Sequence, residues 1–223
     1  MPFDFRPIFD RALPYGLFLE RHATAENRAR WQALYDAVSL TPAQLELLSS
    51  FRREMKVLCL AGPWCGDCVN ACPIYERIAE ASPLIDLRFI NRAQNFDGAV
   101  KAAAGLPAHH GAASSTDRAF TDASDVAVAQ ELSLCGGPRV PVLVFLSEDG
   151  YECERYGERT LATYREKAMK KLASTAGASC PTGLVLPANE LLTANTAEWL
   201  GHFERVQWML LTSPRLSKQH GEM

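Results

Sequence analysis

Hydrophobic positions along the chain change period several times, and each change marks an element. Between residues 24 and 38, Trp31, Leu34, Tyr35 and Val38 recur at helical spacing. A second helix begins at Thr41, with Pro42 in its first turn and Gln44 completing a capping box; Leu45, Leu48, Phe51 and Met55 are its expected buried stripe. Residues 56–61 (KVLCLA) form a short apolar run suited to a buried strand, residues 69–81 read as a helix, and residues 86–91 (DLRFIN) alternate as a strand. Residues 125–132 read as a helix leading into Cys135-Gly136-Gly137-Pro138. Two further strands, 142–146 and 151–156, flank Ser147-Glu148-Asp149-Gly150, whose Asp-Gly step marks a hairpin, and a helix over 160–172 follows. The order is strand, helix, strand, helix, strand, strand, helix.

The remaining stretches decorate this unit. Residues 93–124 form a long connection rich in Ala, Gly and Ser and containing His109 and His110, a pair read first as part of a solvated loop. After Cys180-Pro181-Thr182-Gly183, residues 196–211 are amphipathic, with Trp199, Phe203, Val206 and Leu210 along one side. Packing on the amino-terminal helices is the default for that face. Trp208, Met209 and Leu211 widen it, so a homodimer contact through this helix, or a groove for a partner, is the alternative. The expected division is an amino-terminal helical extension (1–55), a central domain (56–175, with its insertion at about 93–124) and a carboxy-terminal extension (176–223).

Composition narrows the classes. The 223 residues are 48% hydrophobic and 22% charged, as in an ordinary globular protein, and the net charge of −3 gives no reason to expect nucleic acid or an anionic membrane as partner. No apolar run is long enough to span a membrane, the longest being residues 140–146. The first twenty residues are interrupted by Asp4, Arg6, Asp10 and Arg11 and lack the apolar core of a secretion signal, which predicts a cytoplasmic protein. Seven cysteines, scattered apart from one cluster, fit a reducing compartment.

That cluster carries the chemistry. Trp64-Cys65-Gly66-Asp67-Cys68 sits between the first strand and its helix. A free thiol has a pKa of about 8.5 and the thiolate is the nucleophile. A helix amino terminus, with unpaired N–H donors and a partial positive charge, favours the anion of the cysteine that caps it, and Cys65 is that residue. Cys68, one turn on, is close enough to attack a mixed disulfide at Cys65, with Gly66 easing the turn between them. Zinc needs four ligands and no second pair stands at the right spacing, although Cys72, His109 and His110 keep a metal-binding reading as a minor option. A purely structural bridge is disfavoured, since so small a ring constrains little of the unfolded chain.

With this pentapeptide, the element order and Val140-Pro141, the stretch from about Lys56 to Leu172 resembles the thioredoxin superfamily. The resemblance implies an α/β thioredoxin-like fold with a central mixed sheet flanked by helices, here with an amino-terminal helical extension, a long insertion and a carboxy-terminal helix. It implies Cys65 as attacking thiol, Cys68 as resolving thiol, Trp64 as an exposed flanking indole, Val140-Pro141 as a cis pair whose backbone receives substrate, Pro73 within the active-site helix, and Gly157 at the end of the last strand. Two departures stand out. Cys59 occupies the place of the family's buried aspartate, and Asp67 replaces the family's second-position proline. Asp67 is then either a helix cap or an acceptor for the Cys68 proton. Cys72, four residues after Cys68, is read first as a buried small hydrophobe and alternatively as an accessory redox thiol.

The resulting expectation is an enzyme, a disulfide oxidoreductase of cell redox homeostasis that reduces or exchanges protein disulfides through a Cys65-Cys68 cycle. It carries no cofactor or metal of its own. A disulfide-containing protein is its substrate, and an NADPH-dependent thioredoxin reductase or another dithiol donor resets it. A redox-sensing protein-binding module with the same fold is the alternative.

Overall fold

The computed structural model describes residues 3–92, 123–137, 139–173 and 186–222. His109 and His110, with residues 93–122 of the expected insertion, and Cys180 lie outside them.

Four helices precede the sheet where periodicity predicted two: α1 (Arg6–Arg11), α2 (Tyr15–His22), α3 (Ala25–Ala37) and α4 (Pro42–Ser49). The first two are only 6 and 8 residues long, too short for a repeating stripe to declare itself. They are nevertheless well anchored. Phe5, Ile8, Phe9, Phe18 and Leu19 are buried, and Phe18 stacks on Phe89 with ring centroids 5.3 Å apart. The Thr24 hydroxyl caps α3 by accepting from Asn27 N–H at 3.2 Å. The capping box of α4 forms as expected, with Gln44 N–H on Thr41 Oγ1 at 3.3 Å and Thr41 N–H on Gln44 Oε1 at 2.8 Å. Its expected stripe does not. Leu45 is 46% exposed, Phe51 lies past the helix end, and Met55 opens the first strand. The hydroxyls of Ser49 and Ser50 bond back to the carbonyls of Glu46 and Leu47, a competition for the backbone that accompanies the helix stop after two turns.

The sheet runs β2-β1-β3-β4. Strand β1 (Met55–Ala61) pairs parallel with β2 (Ile85–Asn91) and antiparallel with β3 (Val142–Ser147), which pairs antiparallel with β4 (Glu152–Gly157). The expected mixed sheet is therefore present. A parallel β1–β2 pair demands a crossover, supplied by α5 (Gly66–Glu80). All six residues of β3, and all of β1 except Lys56, are buried, which is why they read as unbroken apolar runs. Leu13 covers the outer edge of β2 by exchanging two backbone hydrogen bonds with Phe89, at 2.9 and 2.7 Å.

The later helices are α6 (Ala123–Glu131), α7 (Leu161–Ala173), α8 (Ala188–Leu211) and α9 (Pro214–Gln219). Helix α8 begins eight residues before the expected start, because its first two turns carry Asn189, Glu190, Thr193 and Asn195 where an apolar stripe was sought. Its predicted stripe of Trp199, Phe203, Val206 and Leu210 is wholly buried, but not chiefly on the amino-terminal helices. Trp199 meets Tyr75 of α5 and Tyr156 of β4 edge-on at 4.7 and 5.1 Å, and Phe203 meets Phe145 of β3 at 5.1 Å. The aromatic face of the sheet outcompetes the amino-terminal helices, of which α2 and α3 are already engaged with β2 and α5. Gln207 still ties α8 to the end of the amino-terminal segment, accepting Arg52 and Arg53 N–H at 2.9 and 2.8 Å. Among the described residues no helix is long and apolar enough to cross a membrane.

Candidate functional site

The carboxyl end of β1 leads through residues 62–65 into α5, and the local sequence dictates how tightly. Gly62 is indispensable to the turn. A Cβ there would lie 2.7 Å from Trp64 Nε1. With only hydrogen at that position the indole folds back over the turn, donates to the Arg92 carbonyl at 3.3 Å and carries the Arg92 guanidinium 5.2 Å from its ring. Trp64 is accordingly half-buried, where the family resemblance implied an exposed indole. The turn is also held from the amino-terminal side: buried Trp31 of α3 donates its indole N–H to the Pro63 carbonyl at 3.0 Å.

Cys65 is the N-cap of α5 and half-buried; Cys68, one turn inside, has no exposed surface. Gly62 N–H points at Cys68 Sγ from 3.3 Å, and the Cys65 thiol lies 3.7 Å from the Val140 carbonyl oxygen. The two thiols lie one helical turn apart, and their acidities are set together. Burial opposes the Cys68 thiolate, yet bonds from the Cys65 and Cys72 thiols and from Gly62 N–H outweigh it and bring its pKa down to about 5. Cys65 moves the other way, pushed up first by the bond it gives Cys68 and then by burial, although the N–H groups of Cys68 and Asp67 at the helix start favour its anion. The pair thus behaves as one acid with a single readily formed negative charge shared between two sulfurs. Spacing identified Cys65 as the capping thiol; the donors that converge on Cys68 could be seen only in three dimensions.

Asp67 does not sit free beside the thiols. Burial alone would raise its pKa, but Arg159 Nη2 at 2.6 Å and Lys167 Nζ at 2.5 Å hold its carboxyl below the usual carboxylate range. A carboxylate clamped by two cations is a poor proton acceptor, which counts against the relay, and Asp67 does not cap the helix either, since Cys65 is the N-cap and no side chain bonds the helix start. Arg159 also pairs with Glu158, which is 4% exposed and accepts from Arg139 and Tyr164. This chain of charges links α5, the segment before Pro141, and the start of α7. Sequence reasoning missed Arg159, Glu158, Arg139 and Lys167, because nothing in their local pattern marks them. Only proximity in the fold makes them one network.

Val140-Pro141 is a cis pair, as the resemblance implied. Gly157, at the end of β4, passes so near that a Cβ would lie 2.7 Å from the Pro141 carbonyl oxygen. Gly66 opens α5 with its missing side chain facing the Arg30 guanidinium 4.0 Å away. Cys72 is completely buried on α5, with its sulfur 3.9 Å from that of Cys59 on β1. Among the described residues no group of three or more His, Cys, Asp or Glu side chains is arranged to hold a metal ion.

A family model described as Thioredoxin matches residues 18–101, which span α2 to beyond β2 and include the whole dithiol turn. The match supports a relation to the thioredoxin superfamily over that stretch. Its thioredoxin-like architecture is similar to the crystal structure of a protein of unknown function from Pseudomonas aeruginosa, with a TM-score of 0.56 at 16% identity over 92% of this chain and 99% of that one. An HIV epitope-scaffold has a TM-score of 0.48, also at 16% identity, over 94% of this chain and 96% of its own. No curated protein matches the chain. The thioredoxin-like domain and its adjacent cysteines support a general thiol-disulfide role.

Proposed function

We propose that the protein is a thiol-disulfide oxidoreductase that reduces or exchanges protein disulfides. The observation that supports this most strongly is the half-buried Cys65 at the amino terminus of α5, one helical turn before a buried partner thiol, with its sulfur 3.7 Å from the Val140 carbonyl. Proton transfer from Cys65 to Cys68 places the shared charge on the more accessible sulfur, where the N–H groups of Asp67 and Cys68 receive it. The Cys65 thiolate attacks a substrate disulfide lying along the Val140 backbone and forms a mixed disulfide, expelling one substrate thiolate. Cys68 then attacks the Cys65 sulfur, the second substrate thiolate leaves with a proton, and a Cys65-Cys68 bridge remains.

A dithiol donor must reopen that bridge; by family resemblance the first candidate is an NADPH-dependent thioredoxin reductase, and the setting is the cytoplasm. Insulin reduction in the presence of dithiothreitol tests the activity. The wild-type chain accelerates it catalytically and Cys65→Ser abolishes the acceleration. Redox-dependent binding of a protein with no turnover would instead support the sensor reading.

A further inference from the structure

Four cysteines lead inward from the half-buried Cys65 to three that are fully buried. Cys65 caps α5, Cys68 and Cys72 follow on its first two turns at spacings of three and four residues, and Cys72 lies 3.9 Å from Cys59, sulfur to sulfur. Only the outermost retains exposed surface; the other three have none. The two innermost play no part in the cycle above, and they join the two elements that frame the site, Cys59 coming from the middle of β1 and Cys72 from the second turn of α5.

We propose that Cys59 and Cys72 form a second redox pair, loaded from the first by two internal exchanges; the inference rests on the Cys65-Cys68 reading. In the first exchange the Cys72 sulfur gives up its proton and attacks the Cys68 sulfur of the Cys65-Cys68 bridge. A Cys68-Cys72 bond forms, the Cys65-Cys68 bond breaks, and Cys65 leaves with the electron pair and takes up the proton. In the second exchange Cys59 attacks the Cys72 sulfur, the Cys59-Cys72 bond forms and Cys68 leaves as a thiol. No electrons enter or leave in either step. The oxidation moves inward by one pair, and the reopened Cys65-Cys68 dithiol reduces a second substrate disulfide. A fully reduced chain therefore delivers four electrons before any donor resets it.

The geometry permits both bonds. Residues four apart on a helix have Cα atoms about 6.2 Å apart from helical rise and turn, inside the span of about 4.4–6.8 Å that a disulfide bridges. The 3.9 Å gap between Cys59 and Cys72 must close to about 2 Å, a movement that side-chain rotation supplies. Burial raises the pKa of both inner thiols, so the inner exchanges are slower than the outer one. Burial also keeps the stored bridge away from external thiols, leaving the outer dithiol as its route for loading and unloading.

The test uses the full-length chain carrying Cys135→Ser, Cys153→Ser and Cys180→Ser, so that these four sulfurs alone remain. It is reduced, freed of reductant anaerobically, mixed with excess 2-hydroxyethyl disulfide, quenched in acid at intervals, unfolded and labelled with N-ethylmaleimide. The expected result is four mercaptoethanols released per chain, two fast and two slow, with no cysteine labelled at the end and mass fragmentation placing the slow bridge at Cys59-Cys72. Cys72→Ala in the same background stops after the fast phase and leaves Cys59 labelled. Release of only two mercaptoethanols, with Cys59 and Cys72 both labelled and Cys65-Cys68 bridged, overturns the second pair and leaves the dithiol reading intact. A slow phase that survives Cys72→Ala also overturns it. Labelling of both Cys65 and Cys68 at the end, with no bridge found, defeats the dithiol reading and this inference together.

Discussion

The indole N–H of Trp31 donates to the carbonyl of Pro63 at 3.0 Å, joining α3 to the turn that presents the dithiol. Both partners are buried, so the bond is worth more than its length along the sequence suggests. Trp31→Phe keeps most of the aromatic packing but leaves the Pro63 carbonyl without that donor, an omission that costs about 1–3 kcal/mol. Urea unfolding should show that loss. The same variant should make Cys65 alkylation less uniform, because the turn has lost one of its anchors. An unchanged midpoint and alkylation rate would show that α3 does not hold the turn.

The shared charge of the dithiol has a direct optical signature. Absorbance at 240 nm should show one thiolate forming as the reduced protein is taken up through about pH 5, far below an ordinary thiol. Cys65→Ala removes the leading donor to Cys68, after which burial dominates and that step moves to higher pH. Absence of thiolate absorbance below pH 7 in the wild type would refute the coupling.

Asp67 is held ionised, which fixes the sign of its contribution. Its lowered pKa means that the stabilisation is complete above about pH 4 and is lost as pH falls through the lower native value. Asp67→Asn should therefore destabilise the protein at pH 7 by about 1–2 kcal/mol, a value reduced for the partial exposure of Lys167, and the deficit should vanish near pH 2. The pH profile for release of substrate from Cys65 should remain that of the wild type. A profile altered in shape by Asp67→Asn would reinstate Asp67 as the proton acceptor.

Glu76 behaves in the opposite sense. Burial, then the charge of Glu80, raises its carboxyl to about 7. The native state holds this proton more tightly than the unfolded chain does, so stability falls as pH rises from about 4.5 to 7. Glu76→Gln should stabilise the protein at pH 8 by on the order of 2 kcal/mol and have little effect at pH 4. Equal stabilisation at both pH values would show that titration is not the cause.

The sheet was legible because β1 and β3 are buried almost throughout and therefore appear as apolar runs, and the hairpin because Asp149-Gly150 announces it. Thr41 and Gln44 gave the start of α4 for a local reason, a reciprocal cap between neighbours in sequence. Its end was not legible, since Phe51 and Met55 continue the helical spacing by chance while serving the loop and β1. Helices α1 and α2 are too short for periodicity; α1 is anchored by buried Ile8 and Phe9, and α2 by ring contacts of Tyr15 and Phe18 with Trp31 and Phe89. At the site, Cys65 and Cys68 are adjacent in the chain and were found; Arg159 and Lys167 reach Asp67 across 92 and 100 residues and were not. The inward run of cysteines was half visible, because Cys72 follows Cys68 by one helical turn, whereas its meeting with Cys59 depends on how α5 lies on β1.

Cys65 attacks and Cys68 resolves, and this division of labour is read most simply from the fate of Cys68→Ser mixed with insulin in the absence of reductant. The variant should accumulate a long-lived covalent adduct, mapped by mass spectrometry to Cys65, that the wild-type chain forms only transiently. No adduct, or one mapped to another cysteine while Cys65 remains free, would contradict it.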